Sequence, residues 1–574
     1  MRTLGISAFY HDSAAALTDG ARVLYAAEEE RFSRIKHDNS FPHLAIRNCL
    51  DSLSCTAKDI EHIAYYEKPL LKFERILGNF VETYPHSQSS FIHRLPEWFG
   101  EKLAVEHTIR KSLDFTGTIS FVPHHTSHAS AAFFPSPFER AAVLTVDGIG
   151  EYQTTCMWSA EGTTLTPLFS QNFPHSLGLL YATFTAFLGF RINEDEYKMM
   201  GLAALGTPRY VEAIRSLMYL KKDGSFRLDL RYFSFRERDA MWSHAFEKII
   251  GHPRRPEDSV TEFHADVAAS IQRVTEDIYF SMLNHLHAVD GSENLCISGG
   301  VALNALANGK ISSRTPYKNI YILGASGDSG AAIGSALFAS LTRDMTIPRQ
   351  EITHLQLGSR YTNDDIEREL TAAGVPYIYV GREDEFCEKV AALLAQDKVI
   401  GWFQGRMEFG PRALGSRSIL ANPRFAHMKD KVNKIKGREE FRPFGGSVLA
   451  EKLGEFVDTH GAGSNFPFMN FCFAVHDEKR NEIASIVHAD GTCRVQTITP
   501  GDGRYHTLLK SFAALSGLPF LLNTSFNIAG EPIVENPAQA IRDFKETTLD
   551  CLAIGDFLVF REPYTAPDGA ASHT

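Results

Sequence analysis

Cysteine is scarce: the 574 residues contain eight, and no two are spaced C-x-x-C. That excludes a zinc ribbon or a thioredoxin-type dithiol, and the scarcity fits a reducing compartment. Positive charge is also in deficit, with 58 Lys and Arg against 69 Asp and Glu, a net of −11. A chain that coats nucleic acid or an anionic membrane carries the opposite balance, although a local basic patch remains compatible. Long hydrophobic runs are missing. The most apolar stretch, Leu177 to Phe190, is too short to span a bilayer and contains Thr183 and Thr185, so it reads as a buried helix. Residues Met1 to Ser7 lack a signal-peptide core and read as a first strand. No low-complexity run stands out, and the P-loop pattern G-x-x-x-x-G-K-[ST] does not occur. These absences lead to the expectation of a soluble, cytoplasmic protein. Hydrophobic residues at 44% and charged residues at 22% are ordinary for a globular chain. The length predicts about two to four domains.

The N-terminal part has a repeated rhythm. Leu4–Phe9, Ser13–Leu17 and Arg22–Ala27 read as strands, with Asp19-Gly20 as a hairpin turn. The same order recurs at Ala141–Val146, Tyr152–Trp158 and Leu165–Phe169, with a turn at Glu161-Gly162. Two copies of one unit point to an internal duplication. Helical spacing follows at Val267, Ile271, Val274, Ile278 and Met282. Asn294–Ser298 reads as a buried strand, then Gly299-Gly300 and a helix over Val301–Asn308. A strand over Ile320–Leu323 enters the turn Gly324 to Gly330, which opens an Ala/Gly-rich helix. Strand, glycine-rich turn and helix form a phosphate-binding layout. With the duplication, it predicts an α/β, actin-like ATPase fold with a cleft between two similar halves. A boundary is placed near Arg343–Ile352, giving a domain over 1–345, a second, α+β domain over 350–562, and a flexible tail at 563–574.

Several constellations offer chemistry. In Pro123-His124-His125-Thr126-Ser127-His128-Ala129, His124 and His128 stand i, i+4 and share one helix face, as a first-row metal requires. A capping and packing cluster at a helix start fits the pattern equally. Asp147 ends an apolar strand and Asp328 sits in the glycine-rich turn; two His and two Asp make a mixed N/O site for iron, zinc or manganese. Each Asp alone reads as a turn or cap residue. His11, at the tip between the first two strands, is either a general base or a hydrogen-bonded turn residue. Lys36 lies in the charge run Glu28–His37, which is either a solvated face or a route into the cleft. In Glu196-Tyr197-Lys198-Met199-Met200, ion-pair partners enter a helix, which decides nothing alone. Arg406, Arg412, Arg417, Arg424, Lys436, Arg438 and Arg442 crowd a glycine-rich segment. Glycines let backbone approach a ligand and arginines bind phosphate bidentately, so the segment reads as an anion site, with Arg494 and Asn523 completing it.

Ordered motifs then carry a resemblance. They are Phe9-Tyr10-His11-Asp12-Ser13-Ala14-Ala15, Glu29-Glu30-Arg31-Phe32, His124-His125-x-x-His128-Ala129, Lys198-x-Met200-Gly201-Leu202-Ala203, Ser298-Gly299-Gly300-Val301-Ala302-x-Asn304, Gly410-Pro411-Arg412-Ala413-Leu414-Gly415, Phe441-Arg442-Pro443-Phe444 and Asn523-Thr524-Ser525-Phe526-Asn527. Over nearly the whole chain the sequence resembles the bacterial O-carbamoyltransferases of natural-product and nodulation-factor pathways, of which the nebramycin enzyme is the best-known type. The resemblance implies an N-terminal domain similar to the tRNA threonylcarbamoyl transferase (ASKHA) fold and a C-terminal YrdC-like domain. It implies carbamoyl-adenylate formation from ATP, with magnesium, and carbamoyl phosphate, then transfer to a hydroxyl of a small-molecule acceptor with release of AMP. It assigns the metal, with iron foremost, to His124, His128, Asp147 and Asp328. His11 is the implied base, Lys36 and Arg442 are catalytic, and Gly300 and Asn304 line the adenosine pocket. Arg412, Lys436, Arg442, Arg494 and Asn523 bind the anions. The family's usual Met-Gly-Leu-Ala-Pro-Tyr-Gly appears as Met200-Gly201-Leu202-Ala203-Ala204-Leu205-Gly206, which alters a loop but loses no ligand.

Two competing readings are tRNA threonylcarbamoylation, opposed by the net charge, and a non-enzymatic actin-like scaffold. The aromatic stretch from Tyr65 to Leu113, with Phe73, Phe80, Tyr84, Phe91, Trp98 and Phe99, reads first as a helical subdomain and second as part of the acceptor site. No nucleic-acid or membrane partner is expected, and a homodimer is the default assembly.

Overall fold

A computed structural model describes residues 1–237 and 240–561. The predicted tail, 563–574, lies outside the described residues. The first sheet contains β1 (Arg2–Ser7), β2 (Ala14–Asp19), β3 (Arg22–Glu28), β4 (His62–Tyr65) and β5 (Thr118–Phe121), in the order β3-β2-β1-β4-β5. The second contains β6 (Arg140–Val146), β7 (Gln153–Glu161) and β8 (Thr164–Asn172). A separate small hairpin, β9 (Met218–Leu220) and β10 (Phe226–Leu228), precedes its last strands, β11 (Asn294–Ser298) and β12 (Asn319–Ile322). Its order, β8-β7-β6-β11-β12, repeats the first: an antiparallel meander of three, then two parallel strands. The duplication expected of an actin-like fold is therefore present in the topology. Its two hairpin turns use Gly20 and Gly162 at φ 58° and 59°, where a Cβ is disfavoured.

The helix Asp328–Arg343 lies between the two halves. A Cβ on Gly5 of β1 would stand 1.9 Å from its Ala332 carbonyl oxygen. A Cβ on its own Gly334 would stand 1.9 Å from the Ser127 carbonyl oxygen in the helix His124–Phe133. Glycine at both crossings lets backbones touch, which holds Asp328, the first residue of one helix, beside the histidines of the other. The helix expected over Val301–Asn308 is interrupted. A 3₁₀ turn over Gly300–Leu303 precedes a short helix over Ala305–Asn308, because Asn304 (φ −75°, ψ 85°) leaves helical backbone and its side chain caps the Ala307 N–H.

From Ile378 to Phe560 the chain forms a ten-stranded mixed sheet. Its centre is built from Ile400–Phe403, Arg417–Ala421, Phe520–Ser525, Gly445–Leu449, Thr492–Ile498 and Phe471–Val475. One hydrophobic cluster joins Leu323, Ala325 and Ile333 from the N-terminal part to Phe409, Leu414, Phe468 and Met469. Each large apolar side chain buried there contributes about 1.5–3 kcal/mol. Residues 69–113 form helices over Pro69–Thr83, Gln88–Glu97 and Val105–Leu113, the last two joined by a π-turn over Trp98–Lys102. Their aromatics pack on one another, with Phe80 stacked on Phe91 at 4.2 Å and Phe73 against Trp98 at 5.5 Å. No helix among the described residues is long and apolar enough to cross a membrane.

Candidate active site

His124 and His128 stand one turn apart in the helix His124–Phe133, and Asp147 follows the end of β6. All three are buried, as is Asp328, and one ligand atom from each of the four lies within 4.8 Å of the others. His124 Nε2 is 2.8 Å from Asp147 Oδ2, and His128 Nε2 is 3.3 Å from Asp328 Oδ1. The two Nε2 atoms face each other at 3.2 Å. The Ser298 hydroxyl donates its one proton to the Ser326 carbonyl, so it accepts from Nδ1–H of His128 at 3.1 Å. That fixes the neutral tautomer with its Nε2 lone pair turned to the cluster. Burial alone pushes the His128 imidazole down, but Asp147 and Asp328 outweigh it and raise it to about 9. Two imidazoles and two carboxylates, with Asp328 Oδ2 buried and lacking a hydrogen-bond partner, fit a first-row divalent cation that takes the place of that proton. His125 turns away, to Thr145 Oγ1 and the Gln153 carbonyl.

Glu151 was not singled out by sequence reasoning. Its carboxylate accepts from the backbone N–H of His124 at 2.9 Å and of Lys68 at 2.8 Å, so it caps the ligand-bearing helix. A lone acid four residues past Asp147 in a glycine-rich turn was its only signal in the sequence.

His11 lies at the edge of the same cluster, with Nε2 3.9 Å from Asp328 Oδ2. Its Nδ1–H donates to Asp12 Oδ2 at 3.0 Å, and His37 Nδ1 is 2.7 Å from Asp12 Oδ1. Burial opposes the charge on Asp12, but the two histidines outweigh it and hold the carboxyl below its usual range. Burial likewise lowers His11, and Asp328 and Asp12 outweigh it, lifting His11 to about 10.

His11 and Asp147 open into a chamber that residues of both the N-terminal and the C-terminal part of the chain line. Lys36, Gly300 and Asn304 line its N-terminal side, and Arg412, Arg438, Arg442, His488, Arg494 and Asn523 line its C-terminal side. Burial and then the neighbouring Arg494 push Arg412 down to about 9, and burial lowers Arg494 as well. Cations so crowded are relieved by an anion. Arg494 Nε and Asn523 Oδ1 are buried without hydrogen-bond partners. His488 was missed, standing alone in the sequence between Val487 and Ala489.

Three expected ligands differ in detail. Lys436 does not line the chamber. Its ammonium donates to Ser525 Oγ at 3.2 Å and Asn527 Oδ1 at 2.7 Å, and it also binds the Ser525 carbonyl. It is therefore committed to the chain rather than to a ligand. Gly300 gives its N–H to Asp147 Oδ1 at 3.0 Å, and the Asn304 amide is engaged with Gln272 and Ala307. Both border the chamber through the rest of their surface. None of Phe73, Phe80, Tyr84, Phe91, Trp98 and Phe99 lines it. Of the altered loop, Ala204 lines it and Leu205 is exposed.

The family described as Carbamoyltransferase N-terminus matches residues 2–337, and Carbamoyltransferase C-terminus matches 391–561. The Synechocystis protein sll1178 is 43% identical over 594 residues, covering 97% of this chain and 96% of its own. Nodulation protein NolNO of Sinorhizobium fredii is 37% identical, covering 98% and 80%. Among solved structures, T. kodakarensis HypF aligns at 14% identity over 60% of this chain and 48% of its own, with a TM-score of 0.32.

Proposed function

The chain belongs to the carbamoyltransferase family, and from that premise we propose that it works in two steps within the one chamber. In the first, carbamoyl phosphate is opened by water to carbamate and inorganic phosphate. A carbamate oxygen then attacks the α-phosphorus of ATP, forming carbamoyl-adenylate and expelling pyrophosphate. Arg412, Arg442 and Arg494 of the C-terminal, YrdC-like domain bind the polyanions and offset the charge that develops on the leaving pyrophosphate. Asn523, its Nδ2 held by Ser447 and Gln496, presents Oδ1 to the carbamoyl nitrogen. Lys36 contacts the adenylate from the N-terminal, actin-like side.

In the second step, a hydroxyl of a small-molecule acceptor attacks the carbamoyl carbon and AMP leaves. In its neutral form His11, oriented through Nδ1 by Asp12, takes the hydroxyl proton at Nε2. His124, His128, Asp147 and Asp328 would hold a divalent metal, iron foremost. When bound, such a cation supplies Lewis-acid polarisation of a phosphoryl or carbonyl oxygen. It also offsets Asp328, one of the charges that keeps the His11 proton in place.

The observation that carries this reading is the opposition, across one chamber, of a partly buried arginine cluster and the His11–Asp147 edge of the metal quartet. Pyrophosphate release from ATP tests it. Release that depends on carbamoyl phosphate is expected. Release that needs threonine and bicarbonate instead would replace the acceptor by tRNA, and ATP binding without release under any condition would overturn the adenylation step.

A further inference from the structure

Tyr197 belongs to the N-terminal part, on the helix Glu196–Ala203, yet its ring is approached by a cation from each part of the chain. The Arg442 guanidinium carbon lies 4.8 Å from the ring centroid, and the Lys36 ammonium lies 5.8 Å from it. Both distances are within cation–π range. Arg442 is carried by the loop between the helix His427–Lys436 and the strand Gly445–Leu449, whereas Lys36 follows shortly after β3. All three residues line the chamber.

The same loop is fastened to this helix and to the segment before it at several further points. Lys198, the next residue, forms ion pairs of 3.0 Å with both Asp195 and Glu439. Glu439 in turn meets Arg442 at 3.4 Å. Phe441 packs against Phe190 at 6.5 Å, and a Cβ on Gly201 would stand 3.1 Å from Pro443. Arg442 is thus bracketed by a carboxylate of its own loop and by an aromatic ring of the other domain.

The choice of an aromatic partner has a chemical consequence. A second carboxylate would hold Arg442 firmly but would compete with an anionic ligand. A tyrosine face attracts a guanidinium or an ammonium while leaving its charge and N–H donors available. A ring shared by two cations also lets them converge although they repel. We propose that Tyr197 is a positioning residue for the nucleotide: its ring fixes Arg442 and Lys36, one cation from each domain, on one phosphate-bearing ligand in the chamber. The inference rests on the reading of the chamber as the ATP site.

Calorimetric binding of Mg-ATP to the full-length protein tests it, with Tyr197→Phe, Tyr197→Leu, Arg442→Met and the Leu/Met double variant. Tyr197→Leu is expected to weaken ATP binding about tenfold, and Tyr197→Phe, which keeps the ring face, less than about twofold. In the Arg442→Met background the Leu substitution is expected to cost about threefold or less, because only Lys36 is left to misplace. If Tyr197→Leu unfolds, Tyr197→Gln takes its place, with thermal unfolding confirming the fold. Unchanged ATP affinity in the Leu or Gln variant overturns the inference, as does an equal cost with and without Arg442. Pyrophosphate release by the parent separates the two claims. A Tyr197-dependent ATP affinity with no release removes the adenylation chemistry and leaves the positioning role standing. No ATP binding by the parent removes both.

Discussion

Arg31 donates through Nη2 to the carbonyl oxygen of Gly410 at 2.6 Å, joining the N-terminal part of the chain to the glycine that opens the Gly-Pro-Arg motif. Glu28 completes the grip by accepting from the N–H of the same Gly410 at 2.7 Å. Both side chains are buried, and Glu28 Oε2 lies 3.4 Å from Arg31 Nε. Two residues later comes Arg412, so this clasp sets where the arginine cluster stands relative to the metal quartet.

The clasp makes stability depend on pH in a defined direction. Burial pushes the Glu28 carboxyl up to about 7, with Arg31 opposing, from an unfolded value near 4.5. The folded state therefore holds a proton through that window. Its contribution is complete below about pH 4.5 and is lost as pH rises through 7. About 2.5 units correspond to roughly 3 kcal/mol at most. Thermal unfolding of Glu28→Gln against the parent, from pH 5 to 8, is expected to show the variant gaining stability relative to the parent as pH rises. A constant difference would remove Glu28 as the titrating group.

The metal quartet predicts a graded loss of metal. Removing a ligand in His124→Ala should reduce bound metal by more than about 100-fold, and Ser298→Ala, which frees His128 Nδ1, by about 10-fold. Metal content after dialysis against a weak chelator measures both, independently of turnover. Ser298→Ala retaining metal as tightly as the parent would show that the His128 tautomer is set by something else.

How much of this was legible beforehand follows from the range of each interaction. The i, i+4 spacing of His124 and His128 is local, and so was the Asp-Gly turn that marked the duplication. Asp147 and Asp328 became candidates only once strand ends and a glycine-rich turn were placed in a cleft. Lys436 looked like its neighbouring arginines, because nothing local reveals that Ser525 and Asn527, some ninety residues on, absorb its ammonium. Glu151 and Tyr197 act through contacts that exist only after folding. The break at Asn304 is a capping effect, which composition at that position allowed but periodicity concealed.

The glycine crossings predict that packing and metal affinity move together. Gly334→Ala places a methyl 1.9 Å from the Ser127 carbonyl oxygen, so the helices carrying Asp328 and the two histidines must separate. A destabilisation of about 1–3 kcal/mol is expected in chemical denaturation, with a parallel fall in bound metal. Loss of stability with metal affinity intact would mean that the quartet tolerates displacement of its helices.

Arg494 and Lys436 should separate ligand binding from folding, although burial disfavours the charge of both. Arg494 lines the chamber with Nε lacking a hydrogen-bond partner, so Arg494→Met should weaken ATP or carbamoyl phosphate binding by about 10–100-fold, the value of a charge-assisted bond. Its removal also relieves Arg412, whose charge Arg494 disfavours, so the fold should hold or gain. Lys436→Met instead strands the oxygens of Ser525 and Asn527 that the ammonium satisfies. It should cost about 1–3 kcal/mol of stability. Substrate affinity should then change only as far as the Asn523–Asn527 segment shifts. Isothermal binding and denaturant titrations on the two variants read these quantities separately. Equal losses of affinity in both would return Lys436 to the ligand site, since a purely structural ammonium cannot discriminate an anion it does not touch.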